Sequence, residues 1–206
     1  MRKFKLTNKY YGEDFRMFRR VNIEIDTGLT VLVGCNGAGK TTMLNQINQV
    51  LENKDIPCMF HSNLRDGEKE YRNKAAFYGN YEFVAQSMTS SEGENIVLVL
   101  GEIARKMGDL SRRNPDAKEL WFLFDAIDSG LSIDNVVEIK EILIPLVMRE
   151  NPDKDIYFII SANEYELARN ERCFDVMNGK YITFKDYEDY REFILKSSEQ
   201  KDKRYN

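Results

Sequence analysis

The chain has 206 residues, 42% apolar and 31% charged, which suits one domain with a real core and excludes a disordered segment. Thirty basic against 34 acidic residues leave a net charge of −4, which argues against a protein that coats nucleic acid through a basic surplus and leaves room only for a local basic patch. No run of 18 apolar residues occurs and MRKFKLTNKYY contains no apolar stretch, so neither membrane insertion nor a signal peptide is expected, and the expected location is cytoplasmic.

Residues 2–6 (RKFKL) and 21–25 (VNIEI) alternate polar and apolar, which predicts strands with one wet face. After Gly28, TVLV (30–33) is the short β-branched run of a buried strand. Residues 40–53 predict a helix with Met43, Ile47, Val50 and Leu51 on one side. Residues 54–89 are mixed and polar and give no legible element. A second helix is predicted over 92–107 through Ile96, Leu100, Ile103 and Met107, followed by a polar loop over 109–118. ELWFLFD (119–125) and DIYFIIS (155–161) predict two more buried strands. Between them, residues 133–149 predict a helix that Pro145 should kink or end. CFDVMNGKYITF (173–184) predicts two short strands around Asn178-Gly179, a strong hairpin pair. A last helix is predicted over 186–196, with Tyr187, Tyr190 and Ile194 inward. Residues 1–197 are expected to form a single domain and 198–206 a frayed polar tail. Apolar strands alternating with amphipathic helices give an α/β class with a mostly parallel core sheet, and the early alternating strands give an N-terminal antiparallel β flank.

Gly34-Cys35-Asn36-Gly37-Ala38-Gly39-Lys40-Thr41 matches G-x-x-x-x-G-K-[ST], between an apolar strand and an amphipathic helix. Glycines let successive backbone N–H groups turn inward around phosphate oxygens. Lys40 then neutralises the phosphates, Thr41 ligates Mg²⁺, and the helix start at Thr41-Thr42 adds its positive end. Nucleotide binding is therefore expected at Gly34, Asn36, Gly37, Ala38, Gly39, Lys40, Thr41 and Thr42, with ATP and Mg²⁺ as ligands. Such a site needs an acid at the end of a neighbouring strand; WFLFD supplies Asp125, whose alternative use is to cap the next turn. Cys35, Cys58 and Cys173 have no metal or redox spacing and fit a reducing compartment. The single histidine, His61, excludes a multi-histidine metal site and reads as a packing or surface residue.

GCNGAGKTT followed by DAIDSGLS resembles the ATPase heads of the ABC superfamily, and most nearly the soluble branch that includes the SMC and RecF proteins. The resemblance covers about residues 1–185 and implies a P-loop NTPase head that dimerises head-to-tail around Mg-ATP. It implies adenine stacking on an aromatic before the P-loop, for which Tyr11 is the candidate, beside the alternative of an ordinary surface or core tyrosine. It also implies a signature segment, for which Ser90-Ser91-Glu92-Gly93-Glu94 stands in place, with Ser91 and Gly93 facing a partner's γ-phosphate. Ser91-Glu92-Gly93-Glu94 is equally an S-x-x-E capping box. Gln86 is the candidate for the family's metal-contacting glutamine.

The chain departs from the family at three points. The residue after the metal-binding Asp is normally a Glu that polarises water, and here it is Ala126. The next apolar strand normally leads to a histidine that senses the γ-phosphate, and here Asn163 stands there. Ser132 replaces a dimer-contact Asp. Losing a general base costs about 10²–10⁴ in rate, so tight Mg-ATP binding with slow hydrolysis is expected. Asp128 is a candidate substitute base, with a turn or dimer contact as its alternative. Residues 41–90 leave no room for coiled-coil arms, so a minimal head is expected, whose effector would be DNA, a separate protein or the dimer surface itself. The rivals are a non-hydrolysing ATP sensor, a transporter ATPase subunit and a P-loop small-molecule kinase. The charges of HSNLRDGEKEYRNK (61–74) nearly cancel, which suits a solvated loop, with a DNA or partner contact as the alternative.

Overall fold

The apolar runs assemble into one sheet. The computed structural model describes residues 1–8, 16–62, 77, 92–128 and 132–205. Its strands β3 (Gly28–Val33), β4 (Cys58–Ser62), β5 (Glu119–Asp125), β6 (Asp155–Ser161), β7 (Cys173–Asp175) and β8 (Lys180–Ile182) lie in the order β4-β5-β6-β3-β7-β8. Every neighbouring pair is parallel except β7 with β8. Strands β1 (Arg2–Lys5) and β2 (Asn22–Ile25) pair antiparallel as a separate flank. The helices are α1 (Lys40–Glu52), α2 (Glu92–Arg113), α3 (Ile133–Glu138), α4 (Ile144–Arg149), α5 (Tyr165–Ala168) and α6 (Tyr187–Tyr205), with a π-helical stretch, Ile139–Leu143, joining α3 to α4.

The sheet is apolar on both faces because both faces are covered. Alternate residues of one strand point opposite ways. Phe122, Phe124, Phe158 and Ile160 therefore cluster with Ile103 and Met107 of α2 and Val136 of α3. Their neighbours Trp121, Leu123, Tyr157 and Ile159 cluster with Met43, Leu44 and Ile47 of α1 and with Phe4, Ile23 and Ile25 of the flank. Trp121 stacks on Tyr157 with ring centroids 3.9 Å apart and meets Phe4 edge-on at 5.4 Å. Gln46, buried on α1, accepts from the Thr7 amide at 2.7 Å and donates to the Thr7 carbonyl at 3.0 Å, which ties the flank to the helix behind the P-loop. No helix among the described residues is long and apolar enough to cross a membrane.

Five details differ from the sequence reading. Among the described residues β4 pairs with β5 alone, and its CMFHS, partly buried at Cys58–Phe60 and buried at His61 and Ser62, carries no alternation to reveal it. α2 runs on through 109–113 because Leu110 packs on the core and Asp109 pairs with Arg105 and Arg112. The helical path continues past Pro145; the wider π turns just before it relieve the crowding that proline imposes on the carbonyl four residues back. Asn178-Gly179 does not form a two-residue turn: Asp175 pairs with Lys180, so the loop has four residues, and the Asp175 carboxylate holds it by accepting from the Met177 and Asn178 amides. Finally, α6 extends through Tyr205, with Tyr190 inward, Ile194 half-buried and Tyr187 exposed. The three thiols are unpaired, and burial pushes Cys58 and Cys173 up to about 12, which keeps them unreactive.

Candidate nucleotide site

β3 delivers the chain to the P-loop and α1 carries it away. Gly37 and Gly39 have φ of 79° and 102°. At Gly39 a Cβ would lie 2.6 Å from the Met17 sulfur, so only glycine fits both the turn and its neighbour. The Lys40 ammonium folds back over the loop, donating to the Gly34 carbonyl at 2.7 Å and the Cys35 carbonyl at 3.5 Å. Burial draws its pKa down, against the pull of Cys35, Asp128 and Asp125.

β5 ends in Asp125, only 2% exposed. Its Oδ1 accepts from the Thr41 hydroxyl at 3.1 Å and from the Ser161 hydroxyl at 2.9 Å. The sequence reading sets Asp125 on a strand beside the P-loop strand; the structure interposes β6 between them. Ser161, the last residue of β6, fills that gap and accepts from the Ala126 amide at 2.7 Å. Ala126 itself sits at φ 53°, a left-handed conformation that costs a residue with a Cβ about 1 kcal/mol. Ala126→Gly is expected to leave stability unchanged or raise it by up to about 0.5 kcal/mol, since relief of the left-handed strain is offset by the greater freedom of the unfolded chain. Thermal unfolding checks this; a lower midpoint would refute it.

Asp128, also 2% exposed, turns the other way. Its Oδ2 accepts from the backbone amides of Asn163 and Glu164, each at 2.7 Å, and fixes the segment leading into α5. Burial raises its pKa, against the lowering effect of those amides. These bonds make the Asp128 carboxylate the support of a turn. Asn163 is exposed at the pocket; its carbonyl accepts from the Tyr190 hydroxyl at 3.3 Å.

The family described as an AAA domain matches residues 11–205. The chain belongs to this AAA domain family. A solved structure described as a nucleotide-free ATP-binding cassette from an ABC transporter matches with a TM-score of 0.54 over 95% of this chain and 97% of that one. The identity is 15%, so the likeness is one of fold. No match is found among curated proteins. Family and fold make this a nucleotide-binding P-loop ATPase domain with ABC-type architecture.

In this AAA domain the strand ends enclose an open pocket of about 310 Å³. Asn36, Gly37, Gly39, Lys40, Thr41 and Thr42 line it from the P-loop, and Asp125, Ala126, Ser161 and Asn163 from β5 and β6. Gly34 and Ala38 are buried within the loop, where the Ala38 amide donates to the Cys35 carbonyl at 3.1 Å. Tyr11, Gln86, Ser91 and the charged segment 63–74 lie outside the described residues. Gly93 stands in the first turn of α2. His61 is buried beside Phe124, with ring centroids 6.1 Å apart.

The sequence reading missed Met17, Ser161, Ser197 and Lys201. Met17 lines the pocket and packs on Gly39; the only trace of it is an apolar Met-Phe pair inside a basic run. Ser161 is the single polar residue closing an apolar strand. Ser197 is buried and accepts from the Cys35 amide at 3.1 Å.

Proposed function

We propose that this chain binds Mg-ATP at the pocket and works as a nucleotide-dependent switch with slow hydrolysis. The observation that carries the reading is the convergence of Lys40, Thr41 and Asp125 on one pocket whose base position is Ala126. One hydroxyl and one carboxylate suit Mg²⁺, a hard cation that takes its remaining ligands from water and substrate phosphates. Bound there, the ion would neutralise phosphate charge and offset the desolvation of the carboxylate.

The chain's own residues divide the remaining work. Lys40 exchanges loop carbonyls for phosphate oxygens. The P-loop amides and the start of α1 orient the same oxygens. Ser161 holds the Asp125 carboxylate and the Ala126 backbone in one geometry. Asn163 can offer hydrogen bonds and no charge, and no side chain at position 126 can take a proton from water. Preorganised electrostatics alone still leave catalysis, so slow turnover is the consequence.

Head-to-tail closure of two copies around ATP follows from the ABC-type reading, with Ser91 and Gly93 of one copy meeting nucleotide held by the other. The shortness of residues 41–90 favours a soluble head nearer the SMC and RecF kind than a transporter subunit. The effector is then DNA or a separate protein engaged in the ATP state. A second reading, an ATP sensor without turnover, is favoured by Ala126 and Asn163 together.

Two measurements test this. Gel filtration at saturating Mg-ATP is expected to show a dimer absent without nucleotide; a monomer under both conditions would remove the closure. Turnover by the purified chain is expected to be slow and to rise about 10²-fold in Ala126→Glu, which returns a carboxylate to the base position. Binding without turnover in the native chain would favour the sensor.

A further inference from the structure

The last turns of α6 reach the P-loop at two points. The Ser197 hydroxyl accepts from the Cys35 amide at 3.1 Å and donates to the Met177 sulfur at 3.1 Å. One turn further, the Lys201 ammonium donates to the Asn36 carbonyl at 3.2 Å. The Lys201 arm crosses the loop directly over Gly37. A Cβ built on Gly37 would lie 3.4 Å from the Lys201 Cδ and 4.0 Å from its Nζ, van der Waals distances that show how closely the lysine arm lies on the loop. Asn36 and Gly37, the two loop residues that the lysine lies against, both line the nucleotide pocket.

Lys201 is weakly employed in this position. Its side chain is only 25% exposed, yet among the described residues its partners are one carbonyl at 3.2 Å and the Asp202 carboxylate at 3.7 Å, which is itself 65% exposed. A three-donor cation held against a phosphate loop, with a neutral acceptor and a loose ion pair, gains when a polyanion arrives. The flexible four-carbon stem allows it to exchange a carbonyl for a phosphate oxygen without moving the helix. Lys40, which donates to the Gly34 carbonyl, is placed to make the same kind of exchange.

We infer that Lys201 is a second phosphate cation of the nucleotide site, supplied by the C-terminal helix and directed at the terminal phosphates of a nucleoside triphosphate. This rests on the proposal that ATP binds the P-loop. The charge on Lys201 then distinguishes ATP from ADP, and the contact couples the position of α6 to the nucleotide state.

Calorimetric titration of the full chain with Mg-ATP and Mg-ADP, at low and high salt, tests it. Lys201→Gln keeps a donor for the Asn36 carbonyl and removes the charge. It is expected to weaken Mg-ATP by about 10-fold at low salt and Mg-ADP by much less, with a shallower salt dependence for ATP. Lys201→Arg is expected to restore Mg-ATP affinity to within about 2-fold of the native chain, since it restores the charge. Unchanged ATP affinity in Lys201→Gln would overturn the inference. Equal losses for ATP and ADP would also overturn it, assigning Lys201 the support of the loop alone. If the native chain bound neither nucleotide, the failure would lie with the function proposed above and would take this inference with it.

Discussion

Lys40→Ala is expected to lower Mg-ATP affinity by about 10²–10³-fold and to abolish whatever turnover the native chain has. The size follows from the environment of the ammonium. Charge-assisted hydrogen bonds contribute about 1.5–3 kcal/mol each, and Lys40 can offer more than one to a polyphosphate. Burial has already stripped much of its water, as its lowered pKa records, so the attraction to phosphate is poorly screened. The two carbonyls it now contacts, at Gly34 and Cys35, are poor substitutes for an anion. The folded state should barely notice the change, because the desolvation cost of the ammonium disappears together with those two contacts. Titration calorimetry, with unfolding monitored alongside, checks both halves. Native-like affinity in a folded Lys40→Ala chain would mean that phosphate is held elsewhere.

The second large effect concerns stability and separates the two uses of Asp128. Asp128→Ala removes the acceptor for the Asn163 and Glu164 amides and is expected to destabilise the fold by about 3 kcal/mol, the cost of two lost charge-assisted bonds in a buried place. Asp128→Asn keeps an oxygen for both amides and buries no charge, so it should fold about as well as the native chain. The pH dependence has a definite sign. Burial raises the Asp128 pKa above its ordinary 3.8, so the folded state holds that proton more tightly than the unfolded chain does. The resulting stability is present below the ordinary carboxyl range and is lost as pH rises through the raised value. Asp128→Asn should lack that loss, and denaturant titrations of the two proteins across mildly acidic pH would show it. Turnover in Asp128→Asn is expected to match the native chain; a fall of 10²-fold with stability intact would return Asp128 to the role of base.

What was legible in the sequence follows the physics of each segment. β5 and β6 were read to the residue because strands buried on both faces leave continuous apolar runs. The P-loop was legible because its backbone turn demands glycines at fixed spacing, and Asp125 because an acid at the end of such a run has few other reasons to be there. β4 is hidden because its CMFHS shows neither alternation nor full burial. The end of α2 is hidden because Asp109 and Arg112 look like loop residues until the pairing of Asp109 with Arg105 and Arg112 along a helix is seen. Ser161, Ser197 and Lys201 were invisible for a different reason. Their importance lies in contacts across the fold, with Asp125, Cys35 and Asn36, and nothing local in a serine or lysine announces a distant partner.

The placement of β3 has a consequence for how the protein is made. Its ladder partners are β6 and β7, so the strand that carries the P-loop must wait unpaired until residues 155–175 have been synthesised. The brace from Ser197 arrives later still, 162 residues after the amide it holds. Contacts of such sequence separation fold slowly, and unpaired apolar strands such as TVLV are exposed to aggregation in the interval. The phosphate loop, early in the chain, is among the last parts to take its shape. Shortening or burdening the C-terminal helix would therefore act on the nucleotide site from the far end of the sequence.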